Sequence, residues 1–281
     1  MKISVIFMVK DSEKYCICFD KLFNKLEKYY PYNFEFFIYE NDSLDLTKLC
    51  LYKFMKQRQG LLISENSCNI KKNMEGISKS RGVHMCNIRN KLKKYHGTLD
   101  STYTLLLDSD VIFHEKTLEK MLEVFENNKD IAMVTPYGIC YTAYKKWACE
   151  NHYYDSFAVQ TINKAITWEN NNNACMFAQC KVCCIKRQLN NNNIDKSHLF
   201  KMDTDLEYVD SAFGGFCLIK TSVYNKVKWE NTICEHHGFC ENVRQFGKIV
   251  IAKKIKTYTT TPEYSNSKEY DKIIVLLKNY Y

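Results

Sequence analysis

The stretch that decides the fold is Tyr103-Thr104-Leu105-Leu106-Leu107-Asp108-Ser109-Asp110. Its apolar residues follow one another without polar alternation, which is typical of a strand covered on both faces of a parallel sheet. The strand ends abruptly in two acids. Because ligands bind outside the carboxyl ends of strands in α/β sheets, we expect Asp108 and Asp110 to lie at a binding edge.

Apolar strands and amphipathic helices alternate around this stretch. Further strands are predicted at residues 3–9, 34–39, 60–64, 131–134, 215–219 and 249–251. Apolar residues at helical spacing predict helices between them, the first at 13–29, and a terminal helix from about Lys268. The pattern predicts a single α/β domain with a mostly parallel central sheet and helices on both faces.

Composition excludes several classes of protein. The 281 residues are 46% hydrophobic, which argues against disorder, and no apolar run is long enough to span a membrane. The 14 cysteines are scattered and no signal peptide precedes the first strand, so we expect reduced thiols and a cytoplasmic location. The 40 basic against 32 acidic residues favour an anionic partner. Nucleic acid is not expected, since the basic residues are dispersed and no binding motif accompanies them.

The Asp108-Ser109-Asp110 motif is compatible with a metal site. Two carboxylates at this spacing can converge on one hard cation, Mn²⁺ or Mg²⁺, that also binds phosphate oxygens. The alternative is that both acids face water at a strand end. A haloacid-dehalogenase-type phosphatase would carry such a motif after its first strand, and a sugar-nucleotide pyrophosphorylase would need glycines in 8–11, where there are none.

Six segments, in this order, resemble GT-A fold (Rossmann-like) nucleotide-sugar-dependent glycosyltransferases, and within them the Anp1-type and CAP59-type mannosyltransferase group. The segments are residues 5–11, 38–47, 88–90, 105–111, 209–216 and 234–240. The resemblance implies a metal-dependent transferase that uses a nucleoside-diphosphate sugar donor and a hydroxyl on a glycan or glycoprotein acceptor. We expect residues 1–113 to form the nucleotide-sugar-binding half, 114–256 the acceptor-binding half and 257–281 a tail.

The resemblance also implies roles for individual residues. Those implied to bind the nucleotide sugar are Val9, Glu40, Asp42, Asp45, Arg81, Arg89, Asp108 and Ser109. The two arginines would contact the diphosphate, although each suits a surface or salt-bridge role as well. Those implied to hold the metal are Asp108, Asp110 and His237, with His236 an equal candidate for the histidine.

The acceptor side is implied by the C-terminal motifs. Glu235 would be the catalytic residue, which either takes the proton of the acceptor hydroxyl or lies beneath the anomeric carbon. Asp210 would face the acceptor, and Gly214 and Gly215 would either let the backbone approach the donor sugar or acceptor or form a tight turn before a strand. Common inverting relatives have a Glu-Asp pair where this chain has Glu235-His236, so the base and the stereochemical outcome stay open. A polar-loop histidine is the alternative to a metal ligand.

The sequence leaves three further questions open, each with two answers. The first is a zinc site built from Cys180, Cys183 and Cys184 with the cysteines and histidines of 234–240, against ordinary thiols. The second concerns six aromatic residues, which could form a sugar-stacking surface or pack in the core: Tyr141, Tyr144, Trp147, Tyr153, Tyr154 and Phe157. The third is a catalytically degenerate fold that acts as a carbohydrate-binding or assembly subunit.

Overall fold

The computed structural model describes residues 1–66, 79–141, 153, 155, 158–162, 204–230, 234–260 and 267–281. The strands of this part of the chain are β1 (Lys2–Val9), β2 (Asn33–Asn41), β3 (Gln59–Glu65), β4 (Tyr103–Asp108), β5 (Val111–Phe113), β6 (Ile131–Tyr141), β7 (Gln160–Thr161), β8 (Leu206–Ser211), β9 (Phe216–Lys220) and β10 (Lys248–Thr260). The helices are α1 (Glu13–Tyr29), α2 (Thr47–Met55), α3 (Lys79–His96), α4 (Lys116–Asn127), α5 (Thr221–Tyr224), α6 (Glu235–Arg244) and α7 (Ser267–Lys278).

The strands form one mixed sheet in the order β3-β2-β1-β4-β9-β6-β10-β8-β7, and β5 pairs with β10. From β3 to β4 all neighbouring strands are parallel. Val5 and Leu105, which are partners in the sheet, are both 0% exposed, as a strand covered on both faces requires. The predicted α/β architecture is confirmed, and the uninterrupted run of parallel strands, β3-β2-β1-β4, comes from its N-terminal part.

Helix α1 has the predicted bounds, and local chemistry explains them. Its buried side chains recur at helical spacing and include Tyr15, Phe19, Leu22 and Leu26. Tyr30, the next residue, is extended with ψ 147°. It precedes Pro31, whose ring disfavours the helical conformation of the residue before it. The sequence therefore ends this helix without a glycine cap.

The C-terminal part of the sheet departs from the parallel pattern. Strand β9 is inserted between β4 and β6 and is antiparallel to both. Strand β10 pairs with β6 in parallel and with β8 and β5 in antiparallel fashion. The sheet is therefore mixed, and the site lies where β4 meets this second part.

Two of the six aromatic residues that could stack on a sugar are buried. Tyr141 and Tyr153 are 6% and 3% exposed, which agrees with core packing for these two. The remaining aromatic candidates, Cys180, Cys183 and Cys184 lie outside the described residues. Among the described residues, no helix combines the length and apolar composition that crossing a lipid bilayer requires.

Candidate active site

The register of the parallel strands brings three strand ends to one edge. Met8 pairs with Asp108, and Val9 pairs with Glu40, so the ends of β1, β2 and β4 lie side by side. Val9 itself is 2% exposed, and its side chain belongs to the core. The loops that leave this edge carry the polar side chains of the candidate site.

The loop after β1 and the loop after β2 are braced against each other. The hydrogen bonds between them join Asp11 to Ser43 and Leu44, Ser12 to Thr47, and Glu13 to Asp45 and Leu46. Asp11 and Asp42 both adopt positive φ, 45° and 54°, which Asp tolerates better than most residues. Each hydrogen bond stabilises the folded state by about 0.5–1.5 kcal/mol, so the set holds both loops in one conformation.

The acids of the second loop are partly used in building it. Glu40 is 0% exposed and accepts hydrogen bonds from the backbone N–H of Ser43, at 2.8 Å, and from the Ser64 hydroxyl. Asp45 accepts from the backbone N–H groups of Glu13 and Thr47, at 3.1 and 3.0 Å. Partial burial opposes ionisation of Asp45, but these hydrogen bonds and that of the Thr47 hydroxyl outweigh it and lower the pKa of the carboxyl.

The Asp-x-Asp motif bridges β4 and β5. Ser109 lies with its Oγ 2.9 Å from Ser12 Oγ, which ties the motif to the first loop. The carbonyl of Asp110 accepts the Thr260 N–H at 2.9 Å, which ties it to β10. The two carboxylates thus stand on backbone that is fixed from both sides.

Arg89, on α3, lies between two acids that are far apart in sequence. Its Nη2 is 3.7 Å from Asp108 Oδ1 and 3.9 Å from Glu235 Oε1. The guanidinium carbon stands 4.4 Å from the Trp229 ring centroid and 5.4 Å from that of Phe213. The side chain is 7% exposed. Arg81, two turns earlier on α3, is exposed, and its charge favours ionisation of Asp108 and Glu235.

Glu235 begins α6, and its neighbour His236 is embedded in an aromatic layer. The His236 ring stacks on Phe213 at 4.1 Å and meets the Trp229 ring edge-on at 5.7 Å. Burial lowers the pKa of His236 to about 3, so its imidazole is neutral and a weak base at neutral pH. Burial opposes ionisation of Glu235, whereas His236 and Arg89 favour it, and the net effect lowers its pKa. Because His236 is neutral at neutral pH, the charges that favour ionisation of Glu235 there are those of Arg89 and Arg81.

A two-glycine turn closes the site behind Asp108. Gly214 and Gly215 have φ of +65° and +73°, and the Gly215 carbonyl accepts the N–H of Asp108 at 2.8 Å. A Cβ on Gly215 would lie 2.6 Å from Val111 Cγ2 and 3.6 Å from Asp108 Oδ2. Both conformation and close approach therefore require glycine at this position.

Asp155 joins the site although sequence reasoning missed it. Its Oδ2 accepts the N–H of Gly214 at 3.1 Å, and its Oδ1 accepts that of Ala158 at 3.3 Å. Burial raises its pKa to about 7, and the nearby charges of Asp108 and Glu235 act in the same direction. An acid after two tyrosines is no motif, so the sequence carried no signal for it.

The positive charge near Asp108 and Asp110 is too small to offset the effect of burial on their pKa values. Burial, opposed by Arg89, raises the pKa of Asp108 to about 6. Burial and the charge of Asp108 raise the pKa of Asp110 to about 7. No cationic side chain of the described residues forms an ion pair with Asp110. Such a site favours either a proton or an added cation.

Two predicted residues are found at β7 and β8, the last two strands in the sheet order. His237 is in the first turn of α6, where its Nδ1 is 3.2 Å from the side-chain amide nitrogen of Gln160. Asp210, on β8, is 7% exposed and accepts a hydrogen bond from Arg244 at 2.8 Å. The Asp210 carboxylate is thus engaged with α6.

The model of glycosyl transferase family 2 matches residues 5–191, about two thirds of the chain. The chain belongs to glycosyl transferase family 2. The matched range includes the strand-end acids, both arginines and Asp155, and it ends before the two-glycine turn and Glu235. No curated protein matches the chain at a significant level.

Solved structures of glycosyltransferases share the fold of this family 2 chain. S. aureus TarS 1-349 is 17% identical with a TM-score of 0.50, and the match covers 100% of this chain and 65% of that one. Its complex with UDP-GlcNAc is 16% identical with a TM-score of 0.50, covering 100% and 66%. The mannosyltransferase PcManGT of Pyrobaculum calidifontis, in complex with GDP-Man and Mn²⁺, is 10% identical with a TM-score of 0.50, covering 93% and 57%. The chain thus spans less than two thirds of the length of these structures, and the predicted GT-A fold is confirmed.

The chemistry of the family 2 site fits a divalent cation that is shared with a ligand. Asp108 and Asp110 offer carboxylate oxygens, the donors that Mn²⁺ and Mg²⁺ prefer. Within the described ranges, no group of three or more His, Cys, Asp or Glu side chains is arranged to hold a metal by itself. One or two carboxylates completed by phosphate oxygens and water is the usual arrangement for Mg²⁺ at nucleotide sites. The residues therefore fit a cation that binds together with a diphosphate.

Proposed function

We propose that this family 2 chain transfers a sugar from a nucleoside-diphosphate sugar to a hydroxyl of a glycan or glycoprotein acceptor, with Mn²⁺ or Mg²⁺ bound at Asp108 and Asp110. One observation carries the proposal. Arg89 lies within 4 Å of both Asp108 and Glu235, so a donor-side acid and an acceptor-side acid share one cation at the carboxyl edge of the sheet.

The donor side would hold the nucleotide sugar through the diphosphate. When bound, the divalent cation would neutralise charge that develops on the diphosphate leaving group. Arg89 and Arg81 would donate hydrogen bonds to phosphate oxygens, which suit the planar, permanently charged guanidinium. The braced loops after β1 and β2, with Asp42 and Asp45, would orient the base and ribose, and Ser109 would hold the motif in place.

The acceptor side would be served by Glu235. Its lowered pKa keeps it ionised at neutral pH, as a proton acceptor must be. In the transfer, a bond forms between the acceptor oxygen and the anomeric carbon, and the bond from that carbon to the diphosphate oxygen breaks. In an inverting reaction Glu235 would take the hydroxyl proton, and in a retaining one it would lie beneath the anomeric carbon. Asp210 and the Gly214-Gly215 turn would border the acceptor.

Membership of the Anp1-type and CAP59-type mannosyltransferase group is part of the same proposal. It rests on the six ordered sequence segments, and it makes GDP-mannose with Mn²⁺ the first donor and metal to test. The PcManGT structure holds the same pair, but at 10% identity it speaks only for the fold.

Thermal unfolding with UDP-, GDP- and CMP-linked sugars, each with and without Mn²⁺, tests the proposal. Binding at a hundred times Kd should stabilise the protein by about 2.7 kcal/mol. For a chain of this size that raises Tm by about 5–10 °C. One nucleotide should do so only with the metal, and Asp110→Asn should lose the shift and the transfer of sugar. Asp130→Asn, whose carboxylate pairs with Lys248 at 2.6 Å on the surface, is the matched control.

Full transfer activity in Asp110→Asn would refute the assignment of the metal ligands. Metal-dependent binding of a sugar nucleotide with no transfer to any acceptor and no donor hydrolysis would instead favour the degenerate carbohydrate-binding or assembly subunit.

A further inference from the structure

Asp155 binds the two-glycine turn that lies behind Asp108. The acids whose charges raise its pKa, after burial, are Asp108 first and Glu235 next, and Asp155 in turn acts on Asp110. Its Oδ2 accepts the Gly214 N–H at 3.1 Å, and the carbonyl of the next residue, Gly215, accepts the Asp108 N–H at 2.8 Å. The Asp155 carboxyl therefore lies beside the turn that holds Asp108 and within electrostatic range of Glu235. In a sugar nucleotide, the group between the diphosphate and the acceptor is the sugar that is transferred.

The Asp155 carboxylate is held by backbone rather than by a flexible partner. Each of its oxygens accepts one backbone N–H, from Gly214 and Ala158. Ala158 is itself fixed, because its carbonyl accepts the Ser211 hydroxyl at 2.6 Å and the chain continues into β7, which pairs with β8. A carboxyl group is thereby placed at a set position before any ligand arrives.

The hydrogen-bonding capacity of this carboxylate is only half used. An ionised carboxylate has about four acceptor positions, and the two backbone amides occupy two of them. Asp155 is partly exposed, so the remaining positions can be reached. No described Lys or Arg forms an ion pair with Asp155. Sugar hydroxyls are donors that match these two remaining positions.

We propose that Asp155 accepts hydrogen bonds from hydroxyl groups of the transferred sugar and so selects the sugar of the donor. The inference rests on the proposed function, and it assigns to Asp155 a part in specificity rather than in metal binding or in activation of the acceptor. A site built to bind a hydroxyl rejects an analogue that lacks it, because its buried polar group is then left unpaired.

The test compares binding of nucleoside diphosphates with binding of nucleotide sugars by calorimetry in the presence of Mn²⁺. The probes are UDP and GDP, and UDP-GlcNAc and GDP-mannose. Asp155→Asn should bind the nucleotide sugar about 10- to 100-fold more weakly, since a hydrogen bond to a charged group is lost. It should bind the nucleoside diphosphate within about twofold of wild type, because in this proposal the hydroxyl groups of the sugar, and not the phosphates, bond Asp155.

Two further variants keep the result interpretable. Asp155→Glu retains the charge but displaces it, and it should weaken sugar binding without affecting the diphosphate. Glu207, on β8, accepts a hydrogen bond from Lys253 at 3.1 Å. The variant Glu207→Gln removes this carboxylate and should bind both ligands as the wild-type protein does. Thermal unfolding of each variant shows whether it is folded.

The outcomes distinguish failure of the role proposed for Asp155 from failure of the proposed transferase function. Equal weakening of both ligands, or no weakening of either, overturns the role of Asp155 while leaving the proposed function intact. Unchanged sugar-nucleotide affinity with a large loss of kcat also overturns it and makes Asp155 a proton acceptor. Failure of the wild-type protein to bind any of the four probes refutes the proposed function and, with it, this inference.

Discussion

Replacing Gly215 with alanine tests how the site is held together. The residue has φ +73°, and its carbonyl fixes the N–H of Asp108 at 2.8 Å. The new Cβ would lie 2.6 Å from Val111 Cγ2. The left-handed φ strains an alanine, and its Cβ would overlap Val111 Cγ2. The turn must therefore move away from β5, and it would move Asp108, whose N–H it accepts.

The magnitude follows from two contributions. The left-handed conformation costs an alanine about 1–2 kcal/mol, and an extra carbon in a packed position costs about 1–3 kcal/mol. We therefore expect Gly215→Ala to lower the free energy of unfolding by about 2–5 kcal/mol. A displacement of about 1 Å at a reacting group can reduce turnover about a hundredfold, and Asp108 should suffer a shift of that order.

Gly97 provides the matched control. It has φ +65°, but a Cβ there would meet nothing within 4 Å, so Gly97→Ala should show the conformational cost alone. Urea denaturation of both variants, with sugar transfer or donor hydrolysis measured in parallel, separates the two contributions. Adding Val111→Ala to Gly215→Ala should restore part of the activity because it removes the contacting methyl group. Equal destabilisation of the two glycine variants, or no rescue by Val111→Ala, would refute the reasoning.

Three further substitutions have defined outcomes. Arg89→Met removes a cation that Asp108 and Glu235 share. Because Asp108 is partly exposed, we expect the free energy of unfolding, measured by urea denaturation, to fall by about 3 kcal/mol, the lower end of the range for buried pairs. Arg89→Lys should recover part of this loss. Asp45→Ala removes the acceptor of the first backbone N–H groups of α1 and α2, and it should lower the free energy of unfolding by about 1–2 kcal/mol at pH 7. Because the folded-state pKa of Asp45 is lowered, this difference should vanish as the pH falls through that pKa, and a constant difference down to pH 2 would contradict the account. Burial lowers the pKa of Lys256 to about 8, so its charge costs stability below pH 8, and this cost is relieved as the pH rises toward its unfolded value. Lys256→Met should therefore raise Tm at pH 7 and lose this advantage near pH 10, whereas the exposed Lys254→Met should show no such trend in the same thermal scans.

The donor-side edge was predictable because it depends on local patterns. The residues 103–110 combine an uninterrupted apolar run with terminal acids, and parallel pairing leaves such acids at one edge. Helix 13–29 likewise follows from apolar spacing and from Pro31 beyond its end. In these cases the information lies within a few residues of the element that it determines.

The rest of the site depends on contacts between distant segments. The proximity of Asp155 to Asp108 arises from the pairing of β7 with β8 and from the Gly214 turn, neither of which has a local signal. Arg89 was expected to contact a diphosphate, but its position between Asp108 and Glu235 depends on where α6 packs. That helix begins in a segment whose glycine and histidines predict a loop as readily as a helix.

Arg89 shows how apolar packing can place a charge without using up its hydrogen bonds. Its guanidinium lies against the Trp229 and Phe213 rings, and such contacts with aromatic faces are worth about 0.5–2 kcal/mol each. The distances to its two acids, 3.7 and 3.9 Å, exceed those of hydrogen bonds, and its Nε has no hydrogen-bond partner among the described residues. A polar network would have fixed the same side chain by occupying its donors. Held by aromatic faces instead, Arg89 is fixed in place and still has donors for a phosphate.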